Sequence, residues 1–388
     1  MSQQPSVQET INYRFDQLFL GLDNVQEKLG VSLAGKVNFE QTEQANARRE
    51  LLRVEKLAIR DKELNAKSEQ SYIDSMRDMV HVALREELDD VLKDTDFLFR
   101  KVLGLDNELA PLLDLLTVKA ATIPRIESAA VAIPWLFDDL TKFVNSPKYR
   151  RLDAKGNVVT VDTLRTALSF VGIDNLKIVV PSLSFRRTIP QITDPYPQLK
   201  TRIWEFALGT ALSCQAIAPL CKVDPSHAYT LGLFHDLGRN IVTKLYFRLF
   251  DKTQRAALVE AQRDKKHDEH DALTKIAPSG DYLLELINEL GASLSAKMVS
   301  MMDLKRVFIS TAMQEYAQNV PVTEMTPLSR VLLQGVNYTK YRMLKAYRLI
   351  NVEEAKAFLV PLRMPNGALS TLKTVDLRHM HLDMDDSQ

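Results

Sequence analysis

The most chemically suggestive feature of the chain is a histidine followed directly by an aspartate, His235-Asp236, in the stretch Tyr229-Thr-Leu-Gly-Leu-Phe-His-Asp-Leu-Gly. An imidazole nitrogen and a carboxylate oxygen both ligate first-row metals, and a metal so held can activate water for phosphoester hydrolysis. A lone pair of this kind also has a structural explanation, since each side chain can simply hydrogen-bond nearby backbone. The other histidines do not complete a ligand set. His227 shares a helix with His235, but eight residues of helix rise about 12 Å, and two nitrogens each about 2 Å from one zinc cannot bridge that gap. His267 and His270 lie in a charged stretch, His81 lies among apolar neighbours, and His379 and His381 alternate with Asp383 and Asp385 in a polar C-terminal segment. No nucleophile elbow, phosphate-binding loop, dinucleotide fingerprint or C-x-x-C pair is present. No motif implies a cofactor.

The elements that must position this doublet are helical. Trp204, Leu208, Ala211, Leu212 and Ala218 share a helical spacing that Pro219 ends. Asp224 then stands at an N-cap position with Pro225 at the favoured first helical position, and that second helix delivers His235 and Asp236 at its end. Near the start of the chain, Ser6 and Glu9 form a capping-box pattern. Ile11, Phe15, Leu18, Phe19, Leu22, Val25 and Leu29 follow as one apolar stripe, predicting a helix from about Ser6 to Leu29. Phe15, Phe19 and Leu22 are candidates for an association surface, most simply of a homodimer, and packing on the chain's own later helices is the alternative. Residues 40–70 carry seven acidic and seven basic side chains and predict a long solvated helix. Leu51, Val54 and Ala58 begin a heptad-like seam within it, which Asp61 and Asn65 break. The helical pattern resumes at Ile73 and runs towards Val102. A further helix is predicted from about Thr326 to Val360, followed by a polar tail. Only Val158 to Val161 suggests extended chain. The fold class is all-α.

Four blocks resemble the HDOD family, helical output domains related to the HD phosphohydrolases. Gly232-Leu-Phe-His-Asp-Leu-Gly-Arg239 is similar to the family's glycine-flanked His-Asp segment. Phe143-Val-Asn-Ser-Pro-Lys-Tyr149, Thr163 to Gly172 with Leu176 to Val180, and Ile203-Trp-Glu-Phe-Ala-Leu-Gly-Thr-Ala211 resemble other family blocks, in the same order. The resemblance implies an HD-like helical domain over residues 109–320. A helical N-terminal extension of residues 1–108 precedes it, and a C-terminal helix and tail, residues 321–388, follow. It also implies a departure. Phe206 stands where an active HD hydrolase has its first histidine, and phenylalanine has no lone pair to donate. Gly291 falls where the family often has another histidine, and Glu315-Tyr316 or Tyr316-Ala317 falls near its frequent His-His pair. His235 and Asp236 are then structural or a vestige, with no catalytic residue and no bound metal.

Composition narrows the function classes. Lysine plus arginine and aspartate plus glutamate number 50 each, so the net charge is zero. That removes the electrostatic reason to expect nucleic-acid binding. No run approaches the ~20 apolar residues of a membrane span. Two cysteines, Cys214 and Cys221, and the absence of a signal-like N-terminus point to the cytoplasm. The resemblance implies a bacterial regulatory protein, a pseudoenzyme acting in signal transduction through protein partners. The alternative is a metal-dependent phosphohydrolase acting on a nucleotide or phosphoester.

Overall fold

A computed structural model describes residues 6–29, 53–152, 156–380 and 382, with the side chains of 53–61, 63, 151 and 152 left aside. Ser6 caps α1 (Val7–Leu20): Glu9 donates its N–H to Ser6 Oγ at 3.2 Å, and Ser6 returns its own N–H to Glu9 Oε2 at 2.7 Å. The expected single helix to Leu29 is two. Gly21, at φ 154°, separates α1 from α2 (Leu22–Lys28). The apolar spacing continues across the break, and for that reason periodicity alone does not reveal it. The next described element is α3 (Arg53–Val91). Of the heptad-like seam, Leu51 lies outside the described residues, and so do the side chains of Val54 and Ala58.

Helix α3 does not project as a stalk. Its exposed stretch Leu64–Gln70 is solvated as its charge pattern predicts. Further on, Val80, Leu84 and Leu88 are buried. Arg85 grips Glu289 with two bonds of 2.7 Å, and Lys252 reaches Glu87 at 2.7 Å. A turn and a short π-helical segment, Leu98–Leu103, lead to Gly104.

The central domain follows as α4 (Leu109–Leu116), α5 (Ile123–Ala130), α6 (Pro134–Val144), α7 (Leu164–Val171), α8 (Ile173–Thr188), α9 (Leu199–Ile217), α10 (Pro225–Phe234), α11 (Leu237–Arg263), α12 (His267–Lys275), α13 (Gly280–Met301) and α14 (Ser310–Ala317). The extended stretch pairs as a two-residue antiparallel ladder, Arg151 with Val159 and Leu152 with Val158. It is an ornament on an all-α protein. Asp224 caps α10 as its sequence predicts, accepting from the N–H groups of Ser226 at 2.8 Å and His227 at 3.0 Å.

The C-terminal part departs from expectation. In place of one helix to Val360 there are α15 (Pro327–Ala346) and α16 (Val352–Leu359), parted at Arg348, whose φ is 58°. The polar tail also contains α17 (Ala368–Thr374), which buries Ala368 and Leu372. One hydrophobic core runs from Ile11 to Leu377. Within it α9 packs along α10 and α15, while α11 packs along α13 and α3.

The structure corrects the expected association surface. Ile11, Phe15, Leu18 and Phe19 are fully buried inside the chain's own core, and Leu22 is half-buried against it. At about 1.5–3 kcal/mol per large apolar side chain, this stripe is a main contribution to docking α1. Polar clamps fix its position. Arg14 meets Glu354 at 2.9 Å, Gln17 and Lys28 reach Asp281 at 2.8 and 2.5 Å, and Lys340 donates to Asn12 at 2.8 Å. The stripe therefore gives no reason to expect a dimer.

Candidate functional site: a filled His-Asp centre

His235 ends α10 and Asp236 begins α11, so the doublet sits in the tight corner between two buried helices. The corner packs closely because Gly238 faces Gly291 of α13. A methyl group on Gly238 would run into the Gly291 carbonyl, and the Gly238 N–H donates to Ser295 Oγ at 2.8 Å. Both members of the doublet are buried, His235 at 4% and Asp236 at 8% exposure.

The two have different partners. His235 Nδ1 lies 2.7 Å from the Gly232 carbonyl. A carbonyl only accepts, so Nδ1 carries the proton and Nε2 keeps its lone pair, buried without a hydrogen-bond partner among the described residues. Burial lowers the histidine's pKa below its ordinary value, although the Asp236 charge opposes the shift. This is the arrangement of a metal-ligating histidine. Asp236, by contrast, is held by Arg239, whose Nε donates to Oδ2 at 2.6 Å. The Arg239 guanidinium lies 4.1 Å from the centre of the Phe19 ring and 5.9 Å from that of Phe206.

Aromatic rings enclose this ion pair. Phe206, 2% exposed, meets the His235 ring edge-on with centroids 5.0 Å apart. Phe15 packs on Phe206 at 4.8 Å and on Phe19 at 5.1 Å. Tyr316 of α14 comes within 6.3 Å of His235. From α15, Lys340 lies over Phe15 at 5.2 Å, and burial lowers its pKa. The structure thus brings together Phe206, His235, Asp236, Gly291 and Tyr316, all singled out in the sequence. It adds Arg239 and Lys340, and it places Phe15 and Phe19 of α1 here rather than on a surface. Of the two added residues only Arg239 left a readable sign, three residues after Asp236 at the start of a helix, where i and i+3 side chains are neighbours.

A divalent cation does not fit these residues. Among the described residues no three His, Cys, Asp or Glu side chains converge. The one carboxylate beside His235 is bound to a guanidinium, and a second cation there would meet like charge at low dielectric. The remaining space around the pair is taken by Phe206, Phe15 and Phe19. His227 lies at the other end of α10, beside Phe308. Cys214 is buried and Cys221 half-buried, both as free thiols.

Asp114 was not singled out in the sequence, yet it organises a neighbouring loop. Its carboxylate accepts backbone N–H groups from Lys305, Arg306 and Val307 at 2.7, 2.7 and 3.0 Å. Among the described residues no single helix is long and apolar enough to cross a membrane.

No curated protein matches the chain. The "putative phosphohydrolase" of Shewanella amazonensis SB2B is similar in structure, with a TM-score of 0.46 at 16% identity, covering 74% of this chain and 94% of that one. An HDOD domain protein with unknown function from Geobacter sulfurreducens has a TM-score of 0.41 at 14% identity, covering 75% and 100%. The family model of the HDOD domain matches residues 109–285, the segment that contains Phe206, His235, Asp236 and Arg239. Residues 109–285 of the chain are thus matched by the HDOD domain family.

Proposed function

We propose that this chain is a non-catalytic regulatory protein of a bacterial signalling pathway, working through protein contacts of its HDOD domain in the cytoplasm. The observation that carries this reading is the Arg239–Asp236 pair at 2.6 Å, sealed by Phe206 and Phe19. In a hydrolase of the HD type the carboxylate would face a metal and an open site. Here a fixed guanidinium supplies the positive charge, and side chains of the same chain occupy the surrounding space. What remains for such a domain is its surface.

The test is elemental analysis of the purified full-length chain, paired with an assay on a chromogenic phosphodiester in the presence of manganese, iron or zinc. We expect far less than one equivalent of any transition metal and no turnover above buffer. Near one equivalent of metal, lost on His235→Ala together with a phosphodiesterase activity, would establish the hydrolase reading instead.

A further inference from the structure

Two surface cavities of about 760 and 540 Å³ adjoin each other on the face built by α6, α8, α9, α15 and α17. They share Arg378 and take consecutive residues of α9, with Trp204 and Leu208 in the smaller and Glu205 and Gly209 in the larger. Together they make an elongated groove. Besides the ion-paired Arg187, six exposed cations line it: Lys142, Lys148, Arg186, Lys345, Lys373 and Arg378. Among the described residues none of the six forms an ion pair, whereas every acid in the groove is engaged. Asp139 pairs with Arg187 at 3.0 Å and Glu205 with Arg202 at 2.6 Å, and Asp376 is hydrogen-bonded to His379 at 2.7 Å. On a chain whose charges sum to zero, this is a local positive surplus among the described residues.

We propose that this groove docks an extended acidic peptide segment of a partner protein, a proposal that rests on the regulatory reading above. Charge complementarity names the sign of the partner. The rings name its class. Arg186 lies over Trp204 at 5.1 Å, Lys148 over Tyr149 at 5.3 Å and Lys345 over Tyr341 at 5.6 Å. Nucleic-acid platforms offer ring faces for bases to stack on. In this groove a cation lies over each of those faces, so the aromatics hold the charges in place and the charges do the recognising. The elongated outline suits a chain with spaced carboxylates better than a compact nucleotide.

The experiment uses the full chain and a fluorescein-labelled oligoglutamate peptide, read by anisotropy at low salt, with oligodeoxythymidylate as a second probe. We expect the peptide to bind, the affinity to fall steeply with salt, and Lys142→Glu/Lys373→Glu to weaken binding by roughly tenfold or more while melting as wild type does. A control, Lys101→Glu/Lys265→Glu, alters two exposed lysines outside the groove and should bind normally. The proposal is overturned if the peptide does not bind, if the groove variant binds as well as wild type, if both variants lose equally, or if oligodeoxythymidylate binds more tightly than the peptide at the same residues. Metal analysis of the same preparation separates the two readings: a metal-free chain that ignores the peptide sinks the groove alone.

Discussion

Arg239→Met keeps most of the side chain's length and removes its charge, leaving the Asp236 carboxylate, 8% exposed, without the one hydrogen-bond donor it has among the described residues. Removing one partner of a buried ion pair costs about 3–5 kcal/mol, because the other charge is left uncompensated. The lower end applies here, since methionine still packs against Phe19 and Phe206. Asp236→Asn should cost a similar amount by stranding the guanidinium. The double variant carries neither charge, and a neutral pair of like volume is often close to native stability, so its cost should be about 1–2 kcal/mol. The coupling between the two sites is then about 4 kcal/mol, taken as the difference between the summed single losses and the double loss. Urea unfolding followed by circular dichroism measures all four corners of the cycle, and a 3 kcal/mol loss moves the midpoint by about 1 M or more. A single-variant loss below about 1 kcal/mol, or a double variant as poor as the two singles added, would refute the buried pair as the organising feature of this centre.

Phe15→Ala and Phe19→Ala should each cost about 3–5 kcal/mol and leave the molecular mass in light scattering unchanged; a change of oligomeric state without loss of stability would return these residues to an interface. Gly238→Ala should yield little soluble protein, because its methyl group meets backbone of α13 rather than a yielding side chain; normal expression and melting would show that the two helices can part cheaply. Asp114→Ala should cost about 2–4 kcal/mol by freeing three backbone N–H groups, with faster amide exchange at residues 305–307 as its local sign. His81, buried and stacked on Tyr282 at 4.2 Å, has its pKa lowered to about 4. A depressed histidine favours the folded state when neutral, so its contribution is present above its unfolded pKa of about 6.5 and is lost as pH falls towards 4. His81→Phe should therefore flatten the fall in stability across that window, and an unaltered pH profile would count against it.

Much of the frame was legible in the sequence because local chemistry decides it. The Asp224-Pro225 cap, the Ser6–Glu9 box and the helical spacing around Trp204 each act within a few residues, and each recurs in the structure. The proximity of Phe206 to His235 was legible only through family resemblance, since nothing local links residues on separate helices. Three things were out of reach. The break at Gly21 leaves the apolar stripe in phase. The facing of Gly238 and Gly291 depends on how two helices cross. The cover of the His-Asp centre by Phe15 and Phe19 depends on where a helix more than two hundred residues away comes to rest, and an amphipathic stripe declares that it will be buried without declaring against what.

The clamps on α1 set an order of events during synthesis. Arg14 bonds to Leu349 across 335 residues of chain and Lys340 to Asn12 across 328. Helix α1 therefore leaves the ribosome well before the part of its seat at residues 340–354, and at ~5–20 residues per second the wait is on the order of tens of seconds. Throughout that interval Ile11, Phe15, Leu18 and Phe19 lack part of the surface that will cover them, the part supplied by residues 340–354. The final docking of α1 is thus also the step that completes the aromatic cover of the His235-Asp236 corner.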